Sequence, residues 1–167
     1  LIHLAGLTGQ ETTLLDPFCG SGIILLEAAQ LYPNLRLLGS DIYEEVVEGA
    51  RENLELADLD NRSLIRQLDV FHLSEAHEPE SIDAIITNPP FGIKLSRDKA
   101  FHNFYRNVLE QAAYVLKPGG KFVILSTKWV LFKKEILKEG SFQIKDIVTL
   151  KLGDINVRAF KLGKKKA

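Results

Sequence analysis

The chain has one cysteine, no methionine and no apolar run long enough to cross a bilayer. A single cysteine excludes an internal disulfide and suits a reducing compartment. A membrane-spanning helix needs roughly 18–20 apolar residues, and the first residues lack a signal-peptide pattern, so we expect a cytoplasmic protein. Because position 1 is not methionine either, we expect residues 1–167 to be a single domain cut from a longer protein.

The chain also lacks an excess of charge of either sign. Its 21 basic and 22 acidic residues give a net charge of −1, so no global positive field favours unaided binding to nucleic acid. The one concentrated basic run, Lys164-Lys165-Lys166, is typical of a solvated terminus. The four histidines are scattered without the spacing of metal ligands, and we predict no metal site.

Short apolar runs alternate with longer segments of helical period, which is the pattern of a parallel sheet covered by helices. Prolines and glycines mark the ends of helices, as in Pro33-Asn34 and in Lys117-Pro118-Gly119-Gly120. The pattern predicts strands over 13–16, 35–41, 64–68, 82–87, 121–127, 142–150 and 156–162, and helices over 22–31, 44–57, 100–116 and 129–138.

The last two predicted strands are separated only by a short turn at Gly153-Asp154. This spacing indicates an antiparallel pair, whereas a dinucleotide-binding sheet ends with another crossover helix and a parallel strand. We therefore predict a Rossmann-like α/β fold, in which helices cover both faces of a seven-stranded, mostly parallel sheet with a C-terminal antiparallel hairpin. This arrangement resembles the class I methyltransferase fold more than the dinucleotide-binding fold.

The first motif is Asp16-Pro17-Phe18-Cys19-Gly20-Ser21-Gly22, at the end of the first predicted strand. Its glycines permit positive φ angles and let the backbone come close to a ligand. Asp41 follows 25 residues later at the end of the second strand, where an acidic residue can accept hydrogen bonds from both hydroxyls of a ribose. With Asp69 after the third strand, three aspartates at consecutive strand ends predict a nucleotide-like cofactor.

Two other nucleotide-binding signatures fit this turn less well. The dinucleotide fingerprint Gly-x-Gly-x-x-Gly would require glycine at Leu25, which weakens the case for NAD. A P-loop would require Lys-Ser or Lys-Thr after the turn, and neither is present. The resemblance of the predicted sheet to the class I methyltransferase fold instead implies S-adenosylmethionine as the cofactor.

The second motif is Asn88-Pro89-Pro90-Phe91-Gly92, behind the fourth predicted strand, and we call residues 88–91 the clamp. An aromatic exocyclic amine is a poor nucleophile, because its lone pair is delocalised into the ring. The side-chain carbonyl of Asn88 and the backbone carbonyl of Pro89 can accept its hydrogens and aim the lone pair, since two prolines fix the backbone. Phe91 offers a face for base stacking, worth roughly 1–3 kcal/mol. We predict Asn88, Pro89, Pro90 and Phe91 as the catalytic residues.

Cys19 lies in the glycine turn rather than in the clamp. Methylation of carbon 5 of a pyrimidine needs a cysteine nucleophile near the target base, so this position disfavours carbon methylation. We expect Cys19 to be a small packed residue.

The first motif extends to Ala29, and the second motif is preceded by Thr87. These two longer segments, residues 16–29 and 87–92, resemble the catalytic domain of the THUMP-associated RNA guanine-N2 methyltransferases of tRNA and large ribosomal RNA. The resemblance covers nearly the whole chain. It departs from the family at Ile23, where threonine is common, and in the absence of the N-terminal THUMP domain that captures RNA. It implies methyl transfer from S-adenosylmethionine to the N2 amine of a guanosine that is unpaired or extruded from its stack.

The same resemblance assigns the residues around the cofactor. It implies that Asp16 lies near the methionine end of the cofactor and that the backbone of the glycine turn runs along the length of the cofactor. It also implies that Asp69 contacts the adenine amine and that Val70 packs on the adenine ring. The implied cofactor-binding residues are Asp16, Phe18, Cys19, Gly20, Ser21, Gly22, Asp41, Ile42, Asp69, Val70 and Asn88.

Alternatives to guanine remain open, because the clamp also occurs in adenine-N6, cytosine-N4 and protein-glutamine methyltransferases. Many DNA amino-methyltransferases that carry the first motif have it after the clamp, in the opposite order to this chain. A non-catalytic subunit that binds RNA or a partner is a third interpretation, against which the intact clamp argues. Segment 92–99 is charged and predicts a mobile lip, where Lys94, Arg97 and Lys99 either contact flanking phosphates or form an ordinary charged loop.

Overall fold

The computed structural model describes residues 1–90 and 98–166, without the side chains at positions 98, 99 and 152. Within this part of the chain, six helices and seven strands confirm the predicted α/β class. The helices are α1 (Ile2–Ala5), α2 (Ile23–Leu31), α3 (Glu44–Glu55), α4 (Leu73–Ala76), α5 (Asp98–Val115) and α6 (Trp129–Glu139). The strands are β1 (Thr13–Asp16), β2 (Arg36–Asp41), β3 (Ser63–Gln67), β4 (Ile82–Thr87), β5 (Leu116–Ser126), β6 (Phe142–Leu152) and β7 (Ile155–Lys164).

The strands form one sheet in the order β3-β2-β1-β4-β5-β7-β6, which confirms the predicted parallel sheet with a terminal antiparallel hairpin. β1 pairs in parallel with both β2 and β4, so the chain builds the sheet outward in opposite directions from β1. In open α/β sheets such a reversal opens a crevice at the carboxyl ends of the strands, where ligands bind. β7 lies antiparallel between β5 and β6.

Both faces of the sheet are buried, because neighbouring residues of a strand point to opposite sides. Leu15 and Ile85 pack in one apolar cluster with residues of α5 such as Leu109. Leu14 and Ile86 pack in a second cluster with residues of α2 and α3. The continuous apolar runs of β1 and β4 therefore follow from burial on both faces.

The boundary between α5 and β5 differs from the prediction. Leu116 already pairs with Ile82 of β4, but the next ladder pair joins Lys121 to Ala84. The residues between them form a bulge, in which Gly119 has a φ of +78°. The breaker sequence ends the helix as predicted, but it lies within β5 rather than before it.

α4, which has four residues like α1, has no counterpart in the prediction, because four residues are too few to establish a helical period. The longer helices match the predicted segments to within a few residues at each end. Among the helices in the described residues, none combines the length and the apolar character needed to cross a membrane.

Candidate functional site

The turn after β1 contains the first motif. Asp16 ends β1, and Gly20 (φ +52°) and Gly22 (φ +85°) adopt the left-handed conformations that glycine permits. The Cys19 amide donates to the carbonyl of Ser40 in β2 at 2.9 Å, and the Gly22 amide donates to the Cys19 carbonyl at 2.8 Å. These hydrogen bonds fix the turn against β2, directly before α2 begins.

Asp16 is almost fully buried at this turn, with 1% of its surface exposed. Its Oδ1 accepts hydrogen bonds from the Thr87 hydroxyl at 2.6 Å and from the Phe18 amide at 3.1 Å, whereas no described group donates to its buried Oδ2. Burial raises the pKa of Asp16 to about 7, although both hydrogen bonds act in the opposite direction. A buried carboxylate with an unpartnered oxygen destabilises the fold, and such groups concentrate at functional sites.

Asp41 ends β2, and Asp69 follows β3. Asp41 accepts hydrogen bonds from the amides of Gly20 at 3.2 Å and Tyr43 at 3.3 Å, so it joins the glycine turn to the start of α3. Asp69 accepts a hydrogen bond from the Phe71 amide at 3.0 Å and caps a short 3-10 turn. Because each carboxylate oxygen has two lone pairs, these backbone contacts leave acceptor capacity for a ligand.

A pocket of about 620 Å³, which we call the central pocket, opens between the glycine turn and the ends of β2, β3 and β4. Its volume is in the range of small-molecule sites. The predicted site residues that line it are Phe18, Gly20, Asp41, Ile42, Asp69, Val70, Asn88 and Pro90. Residues of both motifs therefore meet in one wall.

The remaining predicted residues lie around this pocket rather than in its wall. In the described chain they are Asp16, Cys19, Ser21, Gly22 and Pro89. Ser21 is exposed, and its carbonyl accepts a hydrogen bond from the Asn53 side chain at 3.0 Å. Gly22 faces α3, where a Cβ would approach Ala50 to 3.6 Å. Phe91 and the predicted lip as far as residue 97 lie outside the described residues.

Cys19 is the small packed residue that the sequence predicts. It is 5% exposed and packs in the apolar cluster that contains Leu14 and Leu25. Burial raises the pKa of the Cys19 thiol to about 12, and the nearby Asp16 acts in the same direction. The thiol is therefore protonated at neutral pH and unsuited to nucleophilic attack.

Aromatic side chains contribute a part of the pocket wall that the sequence prediction misses. Phe104, in α5, lies with its ring centroid 5.9 Å from that of Phe18 and 6.0 Å from that of Phe71. Tyr43 also lines the pocket and is 64% exposed. The sequence signal was the pair Phe104-Tyr105 in a predicted helix, but the sequence does not reveal which strand ends that helix covers.

The described part of the clamp, residues 88–90, follows β4. Asn88 and Pro90 are exposed in the pocket wall, whereas Pro89 is buried. Thr87, the last residue of β4, donates its hydroxyl to Asp16 at 2.6 Å. This hydrogen bond ties the strand that carries the clamp to the turn that carries the first motif.

The central pocket offers carboxylates to hydroxyl and amine donors, and apolar or aromatic surfaces to a flat ring. These features suit a ligand that joins a sugar to a planar base. Among residues 1–90 and 98–166, no group of three or more His, Cys, Asp and Glu side chains is arranged to hold a metal ion.

Sequence comparisons identify the family. The domain family UPF0020, described as an RMKL-like methyltransferase domain, matches residues 1–156. A tRNA (guanine(10)-N2)-dimethyltransferase of Methanothermobacter thermautotrophicus is 31% identical over 156 residues, which cover 91% of this chain and 43% of that protein. The bovine (Bos taurus) U6 snRNA (guanine-N(2))-methyltransferase THUMPD2 is 37% identical over 112 residues, which cover 67% of this chain and 21% of that protein.

A structural comparison agrees. The crystal structure of TrmN from Thermus thermophilus is similar with a TM-score of 0.84 at 30% identity, over 97% of this chain and 47% of that chain. The chain spans less than half the length of each of these three proteins. The match to the family covers both motifs and all the strands that border the central pocket. The chain belongs to the UPF0020 family of RMKL-like methyltransferase domains and has the class I methyltransferase fold.

Proposed function

We propose that this domain transfers a methyl group from S-adenosylmethionine to the exocyclic N2 amine of guanosine in RNA. The observation that carries the proposal is the position of Asn88 in the same pocket wall as Asp41 and Asp69. The names of two relatives, which act on guanine N2 in tRNA and in U6 snRNA, support the choice of base and of nucleic acid.

The residues of the central pocket fit S-adenosylmethionine at several points. Asp41 is placed to accept hydrogen bonds from ribose hydroxyls, and Asp69 from the adenine amine. Ile42 and Val70 border the same space and offer apolar surface to the adenine ring. At Gly20, a Cβ would meet no atom within 4 Å, so the backbone there leaves room for a ligand.

Asp16 fits the cationic end of the same cofactor. It lies behind the pocket wall, fully buried, with an oxygen that lacks a donor among the described groups. An ammonium group in the pocket would interact with this carboxylate across the low-dielectric turn and stabilise its charged form. We therefore assign Asp16 a role in the affinity for the methionine end of the cofactor.

The clamp supplies orientation. S-adenosylmethionine, when bound, provides the electrophilic methyl group. The exposed Asn88 would accept one hydrogen of the guanine amine through its side-chain carbonyl, and Pro89 would accept the other through a backbone carbonyl whose direction the prolines fix. The predicted stacking of the base on Phe91 completes the proposal. Orientation and electrostatic stabilisation are then the main sources of the rate enhancement.

RNA capture by a segment outside these 167 residues is part of the proposal. The net charge of −1 gives the domain little overall attraction for a polyanion. The relatives are also more than twice as long as the part that this chain matches.

The test incubates the protein with isotopically labelled S-adenosylmethionine and unmodified tRNA, ribosomal RNA or U6 snRNA, and identifies labelled nucleosides by mass spectrometry. Labelled N2-methylguanosine is the expected product. Label on another nucleoside would overturn the guanine assignment and keep the cofactor. Failure to bind S-adenosylhomocysteine, with no label in any RNA, would favour the non-catalytic interpretation.

A further inference from the structure

A second pocket, of about 400 Å³, opens at the start of α6, and we call it the α6 pocket. Its wall includes Lys128, Trp129 and Lys134, together with His102 of α5. None of these residues lines the central pocket. The α6 pocket is therefore a separate cavity that the proposed function does not use.

Trp129 gives this wall an aromatic surface, and its side chain is 36% exposed. The guanidinium carbon of Arg158, in β7, lies 3.5 Å from the centroid of the Trp129 ring, which is a stacking distance. Arg158 reaches this position because it pairs with Ser126 in the ladder between β5 and β7. Trp129 with Arg158 over its ring forms a platform on which any nucleobase can stack.

Basic side chains border the α6 pocket. Lys134 lines it and Arg158 lies over the ring of its tryptophan, while Lys128, which also lines it, has its Nζ 5.5 Å from the ring centroid of Phe101. The described residues of its wall include no carboxylate. Glu135, which follows Lys134, is buried, and its Oε1 lies 2.6 Å from Nδ1 of His102, so its charge is engaged there. Lys134 and the aromatic platform match the phosphate and the base of a nucleotide.

The α6 pocket also lies close to the clamp. β4 and β5 are parallel neighbours in which Thr87 pairs with Ile124, so Asn88 and Thr127 leave the sheet at the same edge. Strands about 4.8 Å apart, with a rise of about 3.3 Å per residue, separate these two residues by roughly 8 Å. Thr127 lines the α6 pocket. When an RNA base reaches Asn88, the adjacent nucleotide of the RNA is therefore brought towards the α6 pocket.

We propose that the α6 pocket binds a nucleotide adjacent to the target guanosine in an unpaired stretch of RNA. The base of this nucleotide stacks on the platform of Trp129 and Arg158, and Lys134 contacts its phosphate. The inference rests on the proposed function, because the clamp defines the target guanosine. An acidic peptide would match the lysines but would make no use of the stacked platform.

Tryptophan fluorescence tests the proposal directly, because Trp129 is the only tryptophan of the chain. Titration with a short single-stranded oligoribonucleotide should quench the emission saturably, whereas a polyglutamate peptide should not. An absence of quenching by RNA, or equal quenching by the peptide, would overturn the proposal. Trp129→Phe, which keeps a stacking ring, should retain most of the RNA affinity measured by filter binding, and Trp129→Ala should lose roughly tenfold.

A matched pair of lysine variants separates a built subsite from diffuse attraction. Lys133 and Lys134 are neighbours and both are exposed on α6, but Lys133 does not line the α6 pocket. Lys134→Ala should weaken oligoribonucleotide binding and reduce the slope of log affinity against log salt concentration by about 1. Lys133→Ala should leave both unchanged. Equal effects of the two variants would mean that RNA is held only by the overall field of the helix.

The two proposals fail in different ways. If RNA quenches Trp129 and Trp129→Ala weakens binding, while no RNA is methylated, then the α6 pocket binds RNA and the proposed reaction is wrong. If guanosine is methylated with an unchanged KM for RNA in both Trp129→Ala and Lys134→Ala, then the reaction stands and the proposal for the α6 pocket is wrong.

Discussion

Asp83 and Asp16 lie on the neighbouring strands β4 and β1, but at opposite ends of them. Asp83 lies where the parallel strands begin, which we call the amino edge of the sheet, and Asp16 lies where they end, which we call the carboxyl edge. Asp83, at the start of β4, is fully engaged: its Oδ2 accepts hydrogen bonds from the amides of Thr12 and Thr13 and from the Thr12 hydroxyl, at 2.9 to 3.1 Å. Its Oδ1 accepts a hydrogen bond from the Lys117 ammonium at 2.7 Å. Asp16, at the end of β1, is more deeply buried, yet one of its oxygens has no donor among the described groups.

The two pKa values shift in opposite directions. Burial raises the pKa of Asp16 to about 7. Partial burial also acts to raise the pKa of Asp83, but hydrogen bonds from Lys117 and Thr12 outweigh it, so this pKa lies below the usual value. The amino edge of the sheet therefore uses its carboxylate to hold strands together, and the carboxyl edge keeps a strained carboxylate beside the pocket.

If the carboxyl edge carries the chemistry, Asn88→Ala should have the largest effect on turnover. Removal of one preorganised hydrogen-bonding group typically lowers kcat about 10²- to 10³-fold, and the thermal midpoint should stay unchanged because Asn88 is exposed. The affinity for S-adenosylhomocysteine should also stay largely unchanged. Single-turnover methylation measures the rate, calorimetric titration measures the affinity, and a thermal melt gives the midpoint. The exposed Asn61, changed to alanine, is the matched control. Loss of cofactor affinity together with turnover would show that Asn88 has a different role.

Asp41→Ala tests whether a second carboxylate at the carboxyl edge binds the cofactor. Loss of hydrogen bonds from the ribose to a charged group should weaken binding of S-adenosylhomocysteine by about 10- to 100-fold. Isothermal titration calorimetry gives the affinity, and Asp154→Ala, in the exposed turn between β6 and β7, is the control. An affinity near that of the unmodified protein would contradict the ribose role.

A pair of aspartate-to-asparagine changes tests the two edges against each other. Asp83→Asn should lower the free energy of unfolding by about 1 to 2 kcal/mol, because donors lose a charged acceptor, and should leave cofactor affinity unchanged. Asp16→Asn should weaken cofactor binding without loss of stability, because the amide oxygen can still accept from Thr87 and Phe18. Urea denaturation and calorimetry measure the pair. The comparison would break down if Asp16→Asn were the more destabilising of the two changes.

The pH dependence of stability distinguishes the two carboxylates by its sign. The pKa of Asp16 rises from 3.8 in the unfolded chain to about 7 in the folded one, so the folded state binds a proton more tightly. The contribution of Asp16 is therefore most favourable below pH 3.8 and is lost as the pH rises towards 7, by at most about 1.4 kcal/mol per pH unit. Asp83 has the opposite sign: its contribution is present above pH 3.8 and is lost as the pH falls through its lowered pKa.

Urea denaturation of the unmodified protein and Asp16→Asn at several pH values checks this sign. The stability advantage of Asp16→Asn should grow between pH 4 and 7 and then level off. An advantage that is constant across this range would mean that Asp16 titrates normally in the folded protein.

β1 and β4 were predictable because each is a short, mostly apolar segment, and both match the predicted limits. The aspartates at the strand ends were predictable for the same local reason, since the sequence shows where a strand stops. The order of the strands in the sheet was not predictable from these local signals, because it depends on which strands pair when the chain folds. The bulge before Lys121 also depends on its partner, β4.

The part of the site that the sequence did not predict depends on tertiary packing. The unpartnered oxygen of Asp16 exists only because Thr87 and Phe18 both bind the other one. Phe104 reaches the central pocket only because α5 packs across the ends of β1 and β3, beside Phe18 and Phe71. A sequence pattern identifies an amphipathic helix, but it does not specify where the helix docks.

The position of β7 has a consequence for biosynthesis. It follows β6 in the chain, yet it lies between β5 and β6 and joins the edge strand β6 to the rest of the sheet. Phe160, in β7, also packs against Phe132 of α6, with ring centroids 4.9 Å apart. The growing chain can assemble β1 to β4 early, but β6 can join the sheet only after β7 has been synthesised. This long-range closure makes the C-terminal third the slow and aggregation-exposed part of folding.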